Sequence, residues 1–205
     1  MSKTLVIATF NQGKVKEIKE MLKDLDLEIK TLKDFPEIEP CEETGSTFFE
    51  NALQKARYYA EKTGFMCLAD DSGLEVEALG GAPGVHSARF AGENATDEEN
   101  NQKLLKLLEG VPPEKRKARF VCVMVVYHPE GKYIKAEGVW EGRIATEPRG
   151  NYGFGYDPLF LMPEYNFEKT SAEIPLEEKN KLSHRAKALK NLKKIFPEFL
   201  KSLNK

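Results

Sequence analysis

Two long runs with β-sheet character, joined by a short turn, restrict the fold of this chain more than any other feature. Residues 118–128 (ARFVCVMVVYH) and 132–145 (KYIKAEGVWEGRIA) are rich in β-branched and aromatic side chains. The connection Pro129-Glu130-Gly131 has the composition of a hairpin turn. The sequence therefore predicts a long hairpin that forms or extends a second lobe.

The N-terminal part alternates strand and helix patterns. The continuous apolar run at 4–9 (TLVIAT) indicates a strand buried on both faces. Asn11 is a good N-cap for a following helix, and Gly64 a good end for a later one. In chain order, the predicted elements are a strand at 4–9, a helix with Val15, Ile18, Leu22 and Leu25 facing inward, a strand at 27–32, a helix at 47–63 that starts with a capping box, and a strand at 66–69.

Helical patterns return on both sides of the hairpin. Thr96 to Glu99 forms a second capping box, and its helix is expected to bury Leu104, Leu107 and Leu108. Ser183 is expected to cap a helix in the C-terminal region. The β-α-β-α-β order followed by a hairpin predicts an α/β fold, a single domain over residues 1–205. Its long mixed β-sheet is flanked by helices, and a substrate cleft lies between two lobes.

The charge and the cysteines limit the class of protein. Lys and Arg total 31 and Asp and Glu total 33, a net charge of −2, which argues against non-specific binding to nucleic acid. No apolar run is long enough for a membrane span or a signal peptide. The three cysteines form no paired motif, and Cys67 and Cys122 lie in apolar runs. We therefore expect a cytoplasmic protein that binds neither nucleic acid nor membranes.

An anion-binding turn is predicted at residues 8–14 (ATFNQGK). A buried strand leads there into a helix N-terminus, where backbone N–H groups and the helix dipole favour negative charge. Lys14 adds a full positive charge. The stretch is not a Walker A loop, and taken alone it also fits an ordinary helix cap with a solvated lysine.

Two pairs of adjacent acids are candidate metal ligands. Glu42-Glu43 lies just before the 47–63 helix, and Asp70-Asp71 ends the 66–69 strand ahead of a turn predicted at Ser72-Gly73. Mg²⁺ takes a few carboxylate oxygens and leaves its other positions to water and substrate phosphates. One aspartate is expected to cap the turn while the other faces the cleft.

The remaining candidates are a loop, a lysine and a helix start. GFGYDP at 153–158 holds aromatic rings on a pliable backbone, suited to stacking on a flat base. Lys55 shares a helix face with Asn51. Behind the Ser183 cap, His184 and Arg185 fall in a first helical turn, where the dipole disfavours cations, and such a broken rule often marks a site.

Together these features are the inventory of a Mg²⁺-dependent enzyme acting on a nucleoside triphosphate. The chain has no HExxH motif or Cys/His cluster for zinc and no GxSxG elbow for a serine hydrolase.

Five ordered motifs resemble the inosine triphosphate pyrophosphatase family, also called dITP/XTP diphosphatases. They cover nearly the whole chain: T-x-N-x-x-K at 9–14, EETGxTFxENAxxKA at 42–56, ADDSGLxVxxLxGxPGxxSARxxG at 69–92, GFGYDPxF at 153–160 and EEKxxxSHRxxAL at 177–189. The resemblance implies a homodimeric α/β enzyme that uses Mg²⁺. It would hydrolyse ITP, dITP and XTP to the monophosphate and pyrophosphate, removing non-standard purines from the nucleotide pool.

The resemblance also implies roles for individual residues. Asp71 is the expected catalytic acid/base and a metal ligand, and Glu43 is the other ligand. The expected triphosphate-binding residues are Thr9, Phe10, Asn11, Gln12, Gly13, Lys14, Lys55 and Ser72. The expected nucleoside-binding residues are Phe154, Gly155, Tyr156, Asp157, Lys179, His184 and Arg185.

One residue departs from the family pattern, because Phe10 stands where the family usually has a small residue. Phe tolerates a positive φ poorly, so an ordinary backbone is expected there, with the ring at the mouth of the pocket. Two alternatives stay open: a related pyrophosphatase for modified pyrimidine triphosphates, and a non-catalytic nucleotide-binding or sensor protein. A structural or RNA-binding role is disfavoured by the charge balance.

Overall fold

The computed structural model describes residues 3–203. Within them, the α-helices are α1 (Gln12–Leu22), α2 (Phe48–Thr63), α3 (Asp97–Leu107), α4 (Leu176–Leu182) and α5 (His184–Ser202). The strands are β1 (Lys3–Ile7), β2 (Leu27–Thr31), β3 (Met66–Val76), β4 (Lys117–Tyr127), β5 (Tyr133–Ile144) and β6 (Phe160–Leu161). The elements predicted from the sequence are present, and the largest difference in bounds is at β3.

The strands form one mixed sheet in the order β2-β1-β3-β4-β5-β6. β1 pairs in parallel with β2 and with β3, as expected of strands connected through helices. β5 pairs antiparallel with β6. The predicted α/β fold with a mixed sheet and flanking helices is confirmed.

Side-chain caps fix the start of each helix that the sequence predicted. The Asn11 side chain accepts from the backbone N–H of Lys14, and that of Ser183 from Ala186. Thr96 and Glu99 form the complete predicted capping box. At α2 only half of the predicted box is confirmed: Thr47 accepts from the Glu50 N–H, but the Glu50 carboxylate accepts from the N–H of Ser46, one residue earlier.

The chain divides into two compact units, which are described separately. The first unit comprises the residues up to Asp71, residues 122–138 and the residues from Ala188 onward. Its core packs β1, α1, β3, β4 and α5 together through, among others, Leu5, Ile18, Leu68, Met124 and Phe196. The predicted inward residues Val15, Ile18 and Leu22 are buried, as are Cys67 and Cys122.

The second unit comprises residues 72–121 and 139–187. Its core includes Leu74, Leu104, Phe120, Trp140 and Phe160. The expectation that Leu107 is buried is wrong, because its side chain is 48% exposed. Leu104 and the C-cap residue Leu108 are fully buried in this core and Leu105 packs against it, whereas Leu107, the last residue of α3, is left largely in solvent.

The predicted end of the third strand at Ala69 is also wrong. β3 continues from Met66 to Val76 and passes through Asp70, Asp71, Ser72 and Gly73 without a turn. A turn was predicted because Ser-Gly is a common turn dipeptide, but pairing within the sheet overrides this local preference. The hairpin turn between β4 and β5 is as predicted, with the Gly131 N–H donating to the His128 carbonyl.

None of the described helices is long and apolar enough to cross a membrane. The predicted cleft between two lobes stays a prediction.

Candidate active site

The two adjacent aspartates of β3 have different partners. Successive side chains of a strand point to opposite faces, so neighbours on β3 meet different elements. Asp70 accepts a hydrogen bond from Lys14 on α1, and Asp71 accepts one from Asn51 on α2. The expectation that one of the pair caps a turn is therefore wrong, since there is no turn to cap.

Asp70 is a buried partner of the predicted phosphate-binding lysine. Its side chain is 4% exposed, and its Oδ2 lies 2.9 Å from Lys14 Nζ. Lys14 is the third residue of α1, directly above the Asn11 cap. The ion pair holds a lysine beside a helix N-terminus, where unpaired N–H groups already favour an anion.

Asp71 is half-buried, and its carboxylate accepts too few hydrogen bonds to offset the cost of burying its charge. Its Oδ2 accepts from Asn51 Nδ2 at 3.1 Å. Burial raises the pKa of Asp71 from 3.8 to about 6, and Glu43 and Asp70 add to the rise, while Lys55 and the Asn51 hydrogen bond oppose it. A carboxylate in this state remains ionised at neutral pH but is a better base than an exposed aspartate.

Lys55 and Glu43 form the other half of the site in the first unit. Lys55 Nζ lies 2.5 Å from Glu43 Oε1, so the helix lysine is not a solvated one. Burial lowers the pKa of Lys55, but Asp70, Glu43 and Asp71 outweigh it, and the pKa is raised above its usual value. Lys55 is therefore a fixed positive charge among three carboxylates.

The turn between β1 and α1 has the backbone that was predicted for it. The Asn11 N–H donates to Thr9 Oγ1 at 3.2 Å, and Gln12 Nε2 donates to the Phe10 carbonyl at 3.4 Å. Phe10 is absent from the residues with positive φ, and its ring is 59% exposed. The turn therefore presents an aromatic ring to solvent next to the helix N-terminus.

The donor set of the first unit fits Mg²⁺ and not a metal that needs a protein cage. No group of three or more His, Cys, Asp or Glu residues that would hold a metal is found in residues 3–203. Burial is the main cause of the raised pKa of Asp71, and repulsion from Glu43 adds to it, so a cation near these two carboxylates would be stabilised. Two carboxylates are a sufficient protein share for Mg²⁺ when phosphates and waters complete its coordination.

In the second unit, Asp157 fixes the glycine-rich loop. Its Oδ2 accepts from the Phe154 N–H at 3.0 Å and from Lys179 Nζ at 2.5 Å, and its Oδ1 accepts from Ser171 Oγ at 2.7 Å. Gly153 has a φ of +76°, and a Cβ there would lie 2.2 Å from Asp157 Oδ2. These bonds make Asp157 a residue that fixes the loop on which Phe154 lies.

The same loop presents an aromatic ring with cations around it. The Phe154 side chain is 55% exposed, with Lys179 Nζ 4.6 Å and the Arg185 guanidinium 6.0 Å from the ring centre. His184 stacks on Phe120, with 4.9 Å between ring centres and an interplanar angle of 18°. Tyr156, in contrast, is buried and donates to the Ser87 carbonyl, so its side chain anchors the loop rather than facing solvent.

The structure thus collects the predicted site residues into two groups. The first unit brings together Asn11, Lys14, Glu43, Lys55, Asp70 and Asp71. The second unit brings together Phe154, Asp157, Lys179 and Arg185, with His184 next to Arg185 at the start of α5. Ser72 follows Asp71 in β3.

Three polar residues of the site were missed by sequence reasoning. Asn51 is 1% exposed and binds Asp71, whereas its sequence position indicated only that it shares a helix face with Lys55. Asp97 and Asn101 hold the Gly155 peptide from both sides: Asp97 Oδ2 accepts from its N–H and Asn101 Nδ2 donates to its carbonyl. The available signal was the spacing of these two residues, four apart on one helix face.

Comparison with known proteins agrees with the resemblance. The model of the Ham1 family matches residues 5–195. A dITP/XTP pyrophosphatase of Desulforamulus reducens is 54% identical over 93% of this chain and 94% of its own length, and one of Thermoanaerobacter pseudethanolicus is 56% identical over 92% and 94%. The solved Ham1 protein of Coxiella burnetii has a TM-score of 0.89 and 45% identity, covering 96% of this chain and 99% of its own.

A match of this extent decides the family, because one pattern of motifs, one fold and about half of the residues agree over nearly the whole length. The resemblance predicted from the five motifs is confirmed, and the chain belongs to the Ham1 family.

Proposed function

We propose that this protein is a Mg²⁺-dependent nucleoside triphosphate pyrophosphatase that hydrolyses ITP, dITP and XTP to the monophosphate and pyrophosphate. The observation that carries the proposal is Asp71, a half-buried carboxylate of raised pKa beside Lys55 and Glu43. A protein that only binds nucleotides has no use for such a base. The names of the relatives, dITP/XTP pyrophosphatases, support the same reaction.

The chemical step assigned to Asp71 is activation of water. The water oxygen forms a bond to the α-phosphorus, its proton passes to the Asp71 carboxylate, and the bond from the α-phosphorus to the α–β bridging oxygen breaks. Pyrophosphate leaves with the bridging oxygen. A base with a pKa of about 6 is ionised at neutral pH and still accepts a proton well.

Stabilisation of the negative charge on the leaving pyrophosphate is assigned to the lysines of the first unit. Lys14 and Lys55 are held by Asp70 and Glu43, so both ammonium groups are oriented before substrate arrives. The turn from Thr9 to Gly13 and the α1 N-terminus add N–H donors, and Ser72 a hydroxyl. Mg²⁺ bound by Glu43 and Asp71 would neutralise phosphate oxygens and stabilise the leaving group.

Recognition of the purine base of the substrate is assigned to the second unit. Phe154 offers an exposed ring for stacking, on a loop that hydrogen bonds of Asp157, Asp97 and Tyr156 keep in place. Lys179, His184 and Arg185 are the donors assigned to O6 of hypoxanthine or xanthine. Adenine carries an amino donor at that position, which would face another donor and leave both unpaired.

The proposal extends to a single two-lobed domain and to a homodimer in the cytoplasm, with a purine nucleoside triphosphate as its partner. The family resemblance supports the dimer, and the odd number of cysteines without a paired motif supports a reducing compartment. Size-exclusion chromatography with light scattering tests the dimer.

The decisive experiment is a pyrophosphate-release screen over ITP, dITP, XTP, GTP, ATP and pyrimidine triphosphates, with and without Mg²⁺. We expect release from the first three, dependent on Mg²⁺, and little from ATP. Equal hydrolysis of ATP or dCTP would overturn the substrate assignment. Binding of ITP without release of pyrophosphate would favour the nucleotide-binding or sensor alternative.

A further inference from the structure

Asn51 has a buried side-chain amide that forms hydrogen bonds to two other residues, Gly45 and Asp71. It lies on α2, 1% exposed, where an unpaired amide would be strongly disfavoured. Its Oδ1 accepts from the Gly45 N–H at 2.7 Å, and its Nδ2 donates to Asp71 Oδ2 at 3.1 Å. One side chain therefore joins the carboxylate of β3 to the loop that precedes α2.

The two contacts require an amide. Gly45 presents a donor and Asp71 an acceptor, so the bridging side chain must accept with one atom and donate with the other. Aspartate at position 51 would keep the first contact and repel Asp71, and leucine would make neither.

The loop is held close by sterics as well as by the hydrogen bond. A Cβ at Gly45 would lie 2.8 Å from Asn51 Oδ1 and 2.7 Å from Glu50 Cβ, so only glycine lets the loop approach α2 this closely. Glu43 stands two residues before Gly45 on the same loop. Fixing Gly45 therefore fixes the approach of Glu43 to Asp71.

A second side chain holds the same loop without touching the aspartate. Gln54 Oε1 accepts from the Thr44 N–H at 3.0 Å, and Gln54 Nε2 donates to Thr44 Oγ1 at 2.9 Å. Gln54 anchors the loop at its exposed side, whereas Asn51 anchors the loop and the carboxylate together. The chain thus offers a matched control for loop anchoring alone.

We propose that Asn51 is a positioning residue that holds Asp71 and the Glu43 loop in register, so that both carboxylates act on one cation and one water. The inference rests on the proposed function of Asp71 and Glu43. It predicts that loss of the Asn51 amide lowers kcat and Mg²⁺ affinity, while triphosphate binding by Lys14 and Lys55 is kept.

The test compares Asn51→Asp, Asn51→Leu and the control Gln54→Leu for turnover of ITP. We expect kcat of both Asn51 variants to fall by about 10- to 100-fold, the usual effect of losing a group that orients a metal ligand, with KM for ITP within about 3-fold. We expect the Mg²⁺ concentration for half-maximal rate to rise for Asn51→Leu. For Gln54→Leu we expect kcat, KM for ITP and this Mg²⁺ concentration all to stay within about 3-fold of the unmodified enzyme.

A second readout does not depend on turnover. The rise in Tm on addition of MgCl₂ is measured by circular dichroism, and we expect Asn51→Leu to reduce it and Gln54→Leu to leave it unchanged. Should Asn51→Leu fail to fold, Asn51→Asp decides through kcat, because its contact to Gly45 is kept.

Full turnover by both Asn51 variants, with an unaltered response to Mg²⁺, overturns the inference. If the unmodified protein releases no pyrophosphate from any triphosphate, the proposed function fails, and the Mg²⁺-induced rise in Tm then decides the inference separately. A smaller rise in Asn51→Leu supports it; an equal rise, or none in the unmodified protein, overturns it.

Discussion

Asp71 in the first unit and Asp157 in the second are both shielded from solvent, but their carboxylates accept different numbers of hydrogen bonds. Asp157 is 2% exposed and accepts three hydrogen bonds from Phe154, Lys179 and Ser171, which engage both oxygens. Asp71 accepts one from Asn51 and has a raised pKa. The number of hydrogen-bond donors around a carboxylate therefore separates the two roles: Asp157, with both oxygens bonded, fixes structure, and Asp71, with one bond, is available for chemistry.

The largest effect is expected for Asp71→Asn. Amide replacement removes the base and a metal ligand without changing the size of the side chain, so we expect kcat to fall about a thousandfold or more. Pyrophosphate release from ITP measures it, and circular dichroism checks that the fold survives. Full Mg²⁺-dependent activity in this variant would show that Asp71, like Asp157, has no part in the reaction.

The matching change, Asp157→Asn, is expected to act on stability. It leaves the Lys179 ammonium, 4% exposed, without its partner, and breaking a buried ion pair from one side destabilises by about 3 kcal/mol or more. Urea denaturation measures the free energy of unfolding. Recovery of part of the loss in the double variant Asp157→Asn/Lys179→Met would tie it to the buried charge, and an unchanged stability of the single variant would contradict the structural role.

The raised pKa of Asp71 predicts that, in the absence of metal, its ionised carboxylate lowers the free energy of unfolding in a pH-dependent way. Because the folded-state pKa is raised from 3.8 to about 6, its stabilising contribution is full below pH 3.8 and is lost as the pH rises through about 6. In EDTA, Asp71→Asn should match the unmodified protein at low pH and exceed its free energy of unfolding by on the order of 2 kcal/mol above neutrality. A gain that does not vary with pH would contradict the raised pKa, and MgCl₂ should shrink the gain.

The smallest effect concerns the support of the Asp157 loop. Asn101 Nδ2 binds the Gly155 carbonyl, but its buried Oδ1 has no hydrogen-bond partner among the described residues. Asn101→Leu removes one bond and one unsatisfied acceptor together, so stability should change little, while a loosened loop raises KM for ITP by about fivefold, roughly 1 kcal/mol. The exposed Gln102→Leu on the same helix is the control. Equal KM values in both variants would show that the loop needs no support from α3.

Local sequence patterns were enough to predict the order of the elements and the helix starts, and the five motifs were enough to indicate the family. Caps such as Asn11, Thr96 and Ser183 act on N–H groups three residues away, so a local pattern suffices to find them. The β4–β5 hairpin was recognisable for the same reason. The identities of the candidate residues came from the motifs.

The partners of each aspartate, in contrast, depend on contacts between residues that are far apart in the sequence. β3 runs straight through Asp70 and Asp71, and its pleat sends them to Lys14 and Asn51, 56 and 20 residues away in the chain. Lys179 reaches Asp157 across 22 residues. Charge, burial and donor number depend on such distant partners, so two neighbouring aspartates that the sequence presents as equals differ in chemistry once the chain has folded.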